Sequence, residues 1–400
     1  MAESSIPMQA EQAAVRMAPK AEAKAEYLGE VDALRALAVT AVIIFHCEIM
    51  HFGWAGVWLF YVISGFAITT SLLNSELKRP TRGIFLRNFY IRRSLRIWPL
   101  YFFYVALMCI VLVWMNKTNL FNHLPWILTY TQNLHLMIQR DYDISWLPFS
   151  ILWTLALEEQ FYLLFPFLYA FTNKRGVIIG LILVIVAAPF VRYFWGQWAL
   201  AQGWSLDSVG RAVYMFPFAQ FDSFAIGCLL AILRPQLEGK LLWARLAFAG
   251  AVLYAIVYMG AYLYIEQQKT LGSFLSGYNT LFPHHNFGEL REVFLYPAIW
   301  AISAALIWLL IARDPWLTWL ARIPGLQAIG RVSYGAYIYH AIVIYFLGAF
   351  VPWFVGGGQE ADKIQRLMIF LTAYPITIGL AFLSYHTFEK RIRDLRHRFE

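Results

Sequence analysis

Arg35 and His46 stand eleven positions apart in one apolar stretch. At about 100° per residue that interval returns a helix to the same face, roughly 16 Å further along its axis. A guanidinium is a permanent cation whose donors suit phosphate, and an imidazole with an ordinary pKa near 6.5 accepts a proton close to neutral pH. One seam with these groups at its two ends suits an anionic substrate held at one end and proton abstraction at the other. Each residue also has a purely structural reading. Arg35 can pair with Asp32 at the helix start, and His46 can be hydrogen-bonded between helices.

The run from Trp153 to Tyr162 adds two adjacent carboxylates, Glu158 and Glu159, inside another apolar stretch. Lying about 100° apart on a helix, they must meet different neighbours, and an ionisable group in lipid is costly enough that at least one needs a partner. A glutamate here can orient His46, contact an acceptor hydroxyl, or tie its helix to an arginine. Ser64, in Phe60-Tyr61-Val62-Ile63-Ser64-Gly65-Phe66, is a nucleophile candidate, although the sequence arranges no His and Asp around it, and Gly65 points first to close helix packing. Asp222, Tyr337 and His340 lie in later apolar stretches and form a second tier, with packing or ion-pair roles as alternatives to chemistry. Cys47 follows His46 directly, so a helix points the two apart.

The elements that must position these groups follow from composition. Sixty percent of the 400 residues are hydrophobic, 14% are charged and 18% are aromatic, a balance that excludes an ordinary soluble domain. The fold expected is all-α: a polytopic integral membrane bundle of about ten transmembrane helices, near 33–52, 54–74, 98–115, 147–170, 176–195, 211–233, 241–264, 293–312, 333–352 and 366–387. The interval between the second and third spans holds Lys78, Arg79, Arg82, Arg87, Arg92, Arg93 and Arg96, and alternate later loops hold Lys174, Arg175, Arg234, Lys240, Arg313, Arg322 and Arg331. With Lys390, Arg391, Arg393, Arg396 and Arg398 after the last span, the positive-inside rule puts both termini in the cytoplasm of a cell (inner) membrane. Juxtamembrane charge accounts for the 78–96 run more simply than nucleic-acid binding does.

The remaining intervals carry less. Residues 1–26 read as a mobile cytoplasmic leader, 27–390 as one membrane domain, and 391–400 as a basic cytoplasmic tail. The outer intervals 116–146 and 265–292 carry Tyr142, Trp146, Tyr278, His284, His285, Glu289 and Glu292, a mixture suited to polar ligands or sugar rings and equally ordinary at a membrane interface. Pro315 and Pro324 with Trp316 and Trp319 suggest a short interfacial helix in 313–331. Arg192 and Arg211 read as snorkelling anchors near outer boundaries. Cys47, Cys109 and Cys228 give neither a disulfide framework nor metal-ligand spacing, and no metal is expected.

Four motifs, in order, carry a family resemblance: Asp32-Ala33-Leu34-Arg35-Ala36-Leu37-Ala38 with Phe45-His46, Val62 to Phe66, Arg92-Arg93-Ser94-Leu95-Arg96-Ile97-Trp98-Pro99, and Trp153 to Tyr162. Together they resemble the acyltransferase-3 family of membrane O-acyltransferases, and later stretches agree: Asp222 to Gly227, Ser333 to His340, and Phe388-Glu389-Lys390. Tyr61 stands where phenylalanine is commoner in that family, and Arg391 where proline often stands. The resemblance implies transfer of an acyl group, usually acetyl from acetyl-CoA, to a hydroxyl of a cell-surface or exported glycan or another small acceptor. It implies that Arg35 and His46 are linked to activity, with Glu158 and Glu159 next. On that reading Arg35, Arg92, Arg93 and Arg96 hold the donor's phosphates and His46 is the general base. Acyl-CoA is expected to be a substrate rather than a tightly bound cofactor, and the membrane domain is expected to stand alone, without the hydrolase-like domain that many members of that family append. A multi-pass transporter or flippase would also need a polar seam through apolar helices, and a receptor or scaffold would need no base. Replacement of Arg35, His46 and the glutamate pair separates the three. Oligomeric state is not legible in the sequence.

Overall fold

The structure is a computed structural model that describes residues 28–77, 81–139, 147–270, 287–350, 359–395 and 398. The proposed leader, Lys78, Arg79, Tyr142, Trp146, Tyr278, His284, His285 and Arg396 lie outside them.

Among the described residues there are helices and no strands. The long elements are α1 (Val31–His46), α2 (Ala55–Glu76), α3 (Arg82–Trp114), α4 (Leu152–Phe171), α5 (Lys174–Ala201), the bent pair α6 (Leu206–Met215) and α7 (Pro217–Ile232), α8 (Leu241–Thr270), α9 (Arg291–Ile311), α10 (Ser333–Phe350) and α11 (Gln359–Ser384). Their apolar composition buries or immerses the side chains, while backbone groups are satisfied within each helix, as lipid requires. Among the described residues, seven helices are long and apolar enough to cross a membrane, or nine if two bent pairs each form one span. The chain is a multi-pass membrane protein of helical-bundle class.

Each of the ten expected segments contains a helix, but three differ from expectation for clear reasons. Helix α1 is 16 residues long, about 24 Å at 1.5 Å per residue, and so falls short of the roughly 30 Å hydrocarbon core. It ends at His46 because the chain turns there, with Glu48 in the left-handed region at φ 57°. Helix α3 starts sixteen residues before the expected span: the arginine-rich stretch 82–97 is helix, not loop, capped by the Thr81 hydroxyl, which accepts the Ile84 N–H at 3.5 Å. Arginine is a good helix former, so a positive charge run there does not imply irregular backbone. The sixth segment breaks by 40° before Pro217, where proline starts a new helix.

Helix α2 is the centre of the bundle. Of its apolar stretch 72% is buried, against 17% for α8 and 22% for α5 and α11, which are the peripheral helices. Its crossing with α7 is backbone against backbone. A Cβ on Gly65 would strike the carbonyl oxygen of Phe224, and one on Gly227 would strike that of Val62. This is the close approach that small residues allow between membrane helices. Between α9 and α10 lie two short helices rather than one, Pro315–Ala321 and Pro324–Arg331, with Trp316 and Trp319 strongly exposed. Gly330 abuts the carbonyl oxygen of Asp32 so closely that no Cβ fits, which seats the start of α1 and thus Arg35.

Candidate active site

Five helices converge on one open pocket with about 640 Å³ of empty space. Helical periodicity explains which residues reach it. Helix α2 presents Val57, Phe60, Tyr61 and Ser64 at i, i+3, i+4 and i+7; α3 presents Arg93, Arg96 and Ile97; α4 presents Thr154, Leu155 and Glu158; α10 presents Ser333, Tyr334 and Tyr337. Helix α1 adds Arg35. The lining is therefore cationic on one part and aromatic and hydroxyl-bearing on the other.

The carboxylate of Glu158 accepts hydrogen bonds from the Ser64 hydroxyl and the Tyr162 phenol. Arg93 stands 3.9 Å from the same oxygen and lies over the Tyr162 ring at 3.9 Å from its centroid. These contacts set the guanidinium beside the carboxylate and hold Ser64 on the pocket wall. Arg35 bonds Asp32 at 2.9 Å and also lines the pocket, so its structural and binding readings hold together. Tyr337 shares a 2.6 Å hydrogen bond with the Thr154 hydroxyl.

His46 lies at the other end of α1 and is half-buried. Its ring is 5.1 Å from that of His340, which in turn is 5.3 Å from the ring of Tyr337 on the pocket wall. A line of rings thus runs from the pocket to His46. The described hydrogen bonds of Glu158 come from Ser64 and Tyr162, and the ring beside His46 is a second imidazole.

The other candidates separate by helix face. Arg92, one position from Arg93, turns away and donates to the Ser75 hydroxyl at 2.8 Å. Glu159 turns from Glu158 toward Trp98, whose indole N–H is 3.4 Å away. Asp222 is fully buried in an ion pair with Arg192, and the Trp300 indole donates to it at 3.1 Å. Arg192 is accordingly no snorkelling anchor: it has no exposed surface, its Nε donates to the Ala219 carbonyl at 2.7 Å, and its guanidinium lies 4.7 Å from the Tyr296 ring centroid. Arg211 pairs with Asp207 one turn before it. Glu292 accepts the Gly288 N–H at 3.0 Å and Glu289 pairs with Arg291 at 3.1 Å, so both are engaged locally.

Sequence reasoning overlooked Tyr61, Tyr162, Thr154, Ser333 and Tyr334. The i, i+3, i+4, i+7 set on α2 and the Glu158 to Tyr162 spacing of four were the available pointers.

The segment after α3 docks on α4. Asn133 and Gln160 exchange side-chain hydrogen bonds at 3.2 and 2.8 Å, and Gln132 donates to the Phe149 carbonyl at 2.8 Å. In the same segment His123 Nδ1 and His135 Nε2 are 3.1 Å apart, with Trp126 stacked on His135. Burial, and next the proximity of His123, hold the His135 imidazole below its ordinary pKa. A histidine whose folded pKa is depressed resists protonation that the unfolded chain accepts, so stability falls as pH drops below about 6.5. Thermal melts between pH 8 and 5 are expected to show this decline, and His135→Gln to flatten it. Identical slopes for the two proteins would refute the assignment.

A multi-span helical protein with a cationic pocket beside a half-buried carboxylate and a line of rings to a histidine defines the class. Residues 28–386 match the family described as an acyltransferase domain, and the chain belongs to that acyltransferase-3 family. It is similar to the O-acetyltransferase OatA of Staphylococcus aureus strain NCTC 8325, 28% identical over 393 residues that cover 92% of this chain and 57% of the relative. OatA of Staphylococcus aureus strain COL matches with the same identity and coverage. The chain thus spans somewhat under three-fifths of the length of these curated relatives. No solved structure matches it.

Proposed function

We propose that this protein is a membrane O-acetyltransferase that moves acetyl from acetyl-CoA to a hydroxyl of a cell-surface or exported glycan, with His46 as general base. The observation that carries this reading is the pocket where Arg35, Arg93 and Arg96 converge, joined through Tyr337 and His340 to His46. Three guanidiniums lining one open pocket suit the phosphates of a CoA donor. The excess of lysine and arginine on one set of loops supports a cytoplasmic donor side in an inner membrane. The relatives' name, O-acetyltransferase, supports acetyl as the group and a hydroxyl as its acceptor.

In this mechanism the acceptor hydroxyl loses its proton to His46 as its oxygen attacks the thioester carbonyl. The new C–O bond forms, the C–S bond breaks, and the proton passes from His46 to the CoA sulfur, leaving CoA as the free thiol. The acyl arm of the donor reaches from the arginines toward His46, over a distance comparable with the roughly 16 Å between the two ends of α1.

The test is binding and turnover of radiolabelled acetyl-CoA by the purified protein in nanodiscs. Micromolar binding and CoA-thiol release are expected, and Arg93→Ala is expected to raise the dissociation constant at least tenfold, because it removes a charge-assisted contact and leaves Glu158 without its cation. No acetyl-CoA binding by folded protein would overturn the reading.

A further inference from the structure

His340 is fully buried in α10, and its Nδ1 lies within hydrogen-bond reach of the Tyr337 backbone carbonyl one turn earlier. A carbonyl oxygen can only accept, so that nitrogen carries the hydrogen and the Nε2 of the neutral ring is an acceptor. Nε2 is buried and has no hydrogen-bond partner among the described residues. An acceptor shut away from water and left unpaired is a standing cost, and such a group in a native core calls for an explanation.

The neighbouring ring supplies one. His46 is 5.1 Å from His340, centroid to centroid. The same protein contains a second histidine pair at nearly that spacing, His123 and His135 at 5.2 Å, and there the facing nitrogens are 3.1 Å apart. Two imidazoles at this spacing can therefore share one hydrogen bond, here with an N–H of His46 donating to the His340 acceptor.

We propose that His340 is the positioning residue of His46. By accepting one N–H, it fixes the tautomer in which the other ring nitrogen of His46 carries the lone pair, directed at the substrate hydroxyl. When His46 takes the hydroxyl proton it becomes an imidazolium with two N–H groups. One stays on His340 and the other passes to the CoA sulfur, so no proton is stored on His340. The Tyr337 carbonyl that fixes His340 belongs to the residue whose ring lines the donor pocket, which ties the tautomer of the base to the same helix turn that meets the donor. The inference rests on the reading of His46 as general base.

The experiment uses the full chain in nanodiscs with acetyl-CoA as donor and water as acceptor, following thiol release. His340→Phe keeps a ring and removes the acceptor, whereas His340→Gln keeps a side-chain carbonyl that accepts. His340→Phe is expected to lower kcat about 100-fold, the lower end of what a general base contributes, with the KM for acetyl-CoA within about twofold of the native value. His340→Gln is expected to recover at least tenfold of that loss. If His340→Phe does not fold, His340→Met, close to Gln in shape and without its acceptor, takes its place. Native kcat in the variant lacking the acceptor, or equal losses in both variants with KM and thermal stability falling together, would overturn the proposal. Inactivity of His46→Ala alongside full activity of His340→Phe refutes the positioning role alone. Full activity of His46→Ala refutes the general base and the positioning role with it.

Discussion

His46→Ala is expected to reduce acetyl transfer about 1,000-fold while leaving acetyl-CoA binding within about twofold of the native protein. The size follows from general-base chemistry, in which a positioned base contributes roughly 10²- to 10⁴-fold, and three decades correspond to about 4 kcal/mol of transition-state stabilisation. The separation of the two effects follows from geometry. The pocket is lined by Arg35, Arg93 and Arg96, and His46 stands outside that lining, next to it through the rings of His340 and Tyr337, so truncation at His46 removes no cation from the surroundings of the proposed donor. Steady-state thiol release with parallel calorimetric binding checks both halves. A variant that binds and turns over normally would exclude His46 as the base. One that loses binding and turnover together would make its role structural, as the hydrogen-bonded histidine of any helix pair.

The difference between Arg93 and Arg92 illustrates how much of the site the sequence contains. Both belong to one arginine-rich motif, and both fit a donor-binding role by composition. Once 82–97 is understood as helix, the 100° step between them assigns one to the pocket and the other to Ser75. The same step separates Glu158 from Glu159. These distinctions were legible in principle, and treating the basic run as a loop concealed the first. The apolar runs located the long helices well, because in lipid a helix is the only way such a segment satisfies its backbone. They could not reveal that α1 stops at His46, since Cys47, Ile49 and Met50 extend the apolar run around a single charged residue, Glu48, where the backbone turns. Contacts between distant helices are a different matter. The proximity of His46 to His340 and the burial of Arg192 depend on how helices pack, and no spacing along the chain encodes them. Arg192 near a span boundary has the same local sequence whether it reaches for the interface or turns inward to Asp222.

That last ambiguity sets the second large effect, which falls on stability. Arg192 and Asp222 have no exposed side-chain surface, and their pair is held by the Ala219 carbonyl on one side and the Trp300 indole on the other. Replacing one partner strands the other charge where water cannot reach it, and losses of about 3–5 kcal/mol are typical of such broken pairs. Asp222→Leu is expected to fall in this range, since Arg192 then loses its ion-pair partner and keeps the Ala219 carbonyl, the face of Tyr296 and the less direct charge of the neighbouring Glu292. Arg192→Met strands Asp222 in turn. The double variant Arg192→Met/Asp222→Leu removes both charges and their desolvation cost, and is expected to recover at least half of the larger single loss. Unfolding in detergent, followed by intrinsic tryptophan fluorescence, measures all three. The cycle also decides the standing of Asp222 as a catalytic candidate. A structural pair predicts that the double variant regains acetyl transfer as it regains stability, whereas a carboxylate acting in the chemistry predicts a stable double variant that remains inactive. Its position, walled off with Arg192 rather than lining the pocket, favours the first outcome.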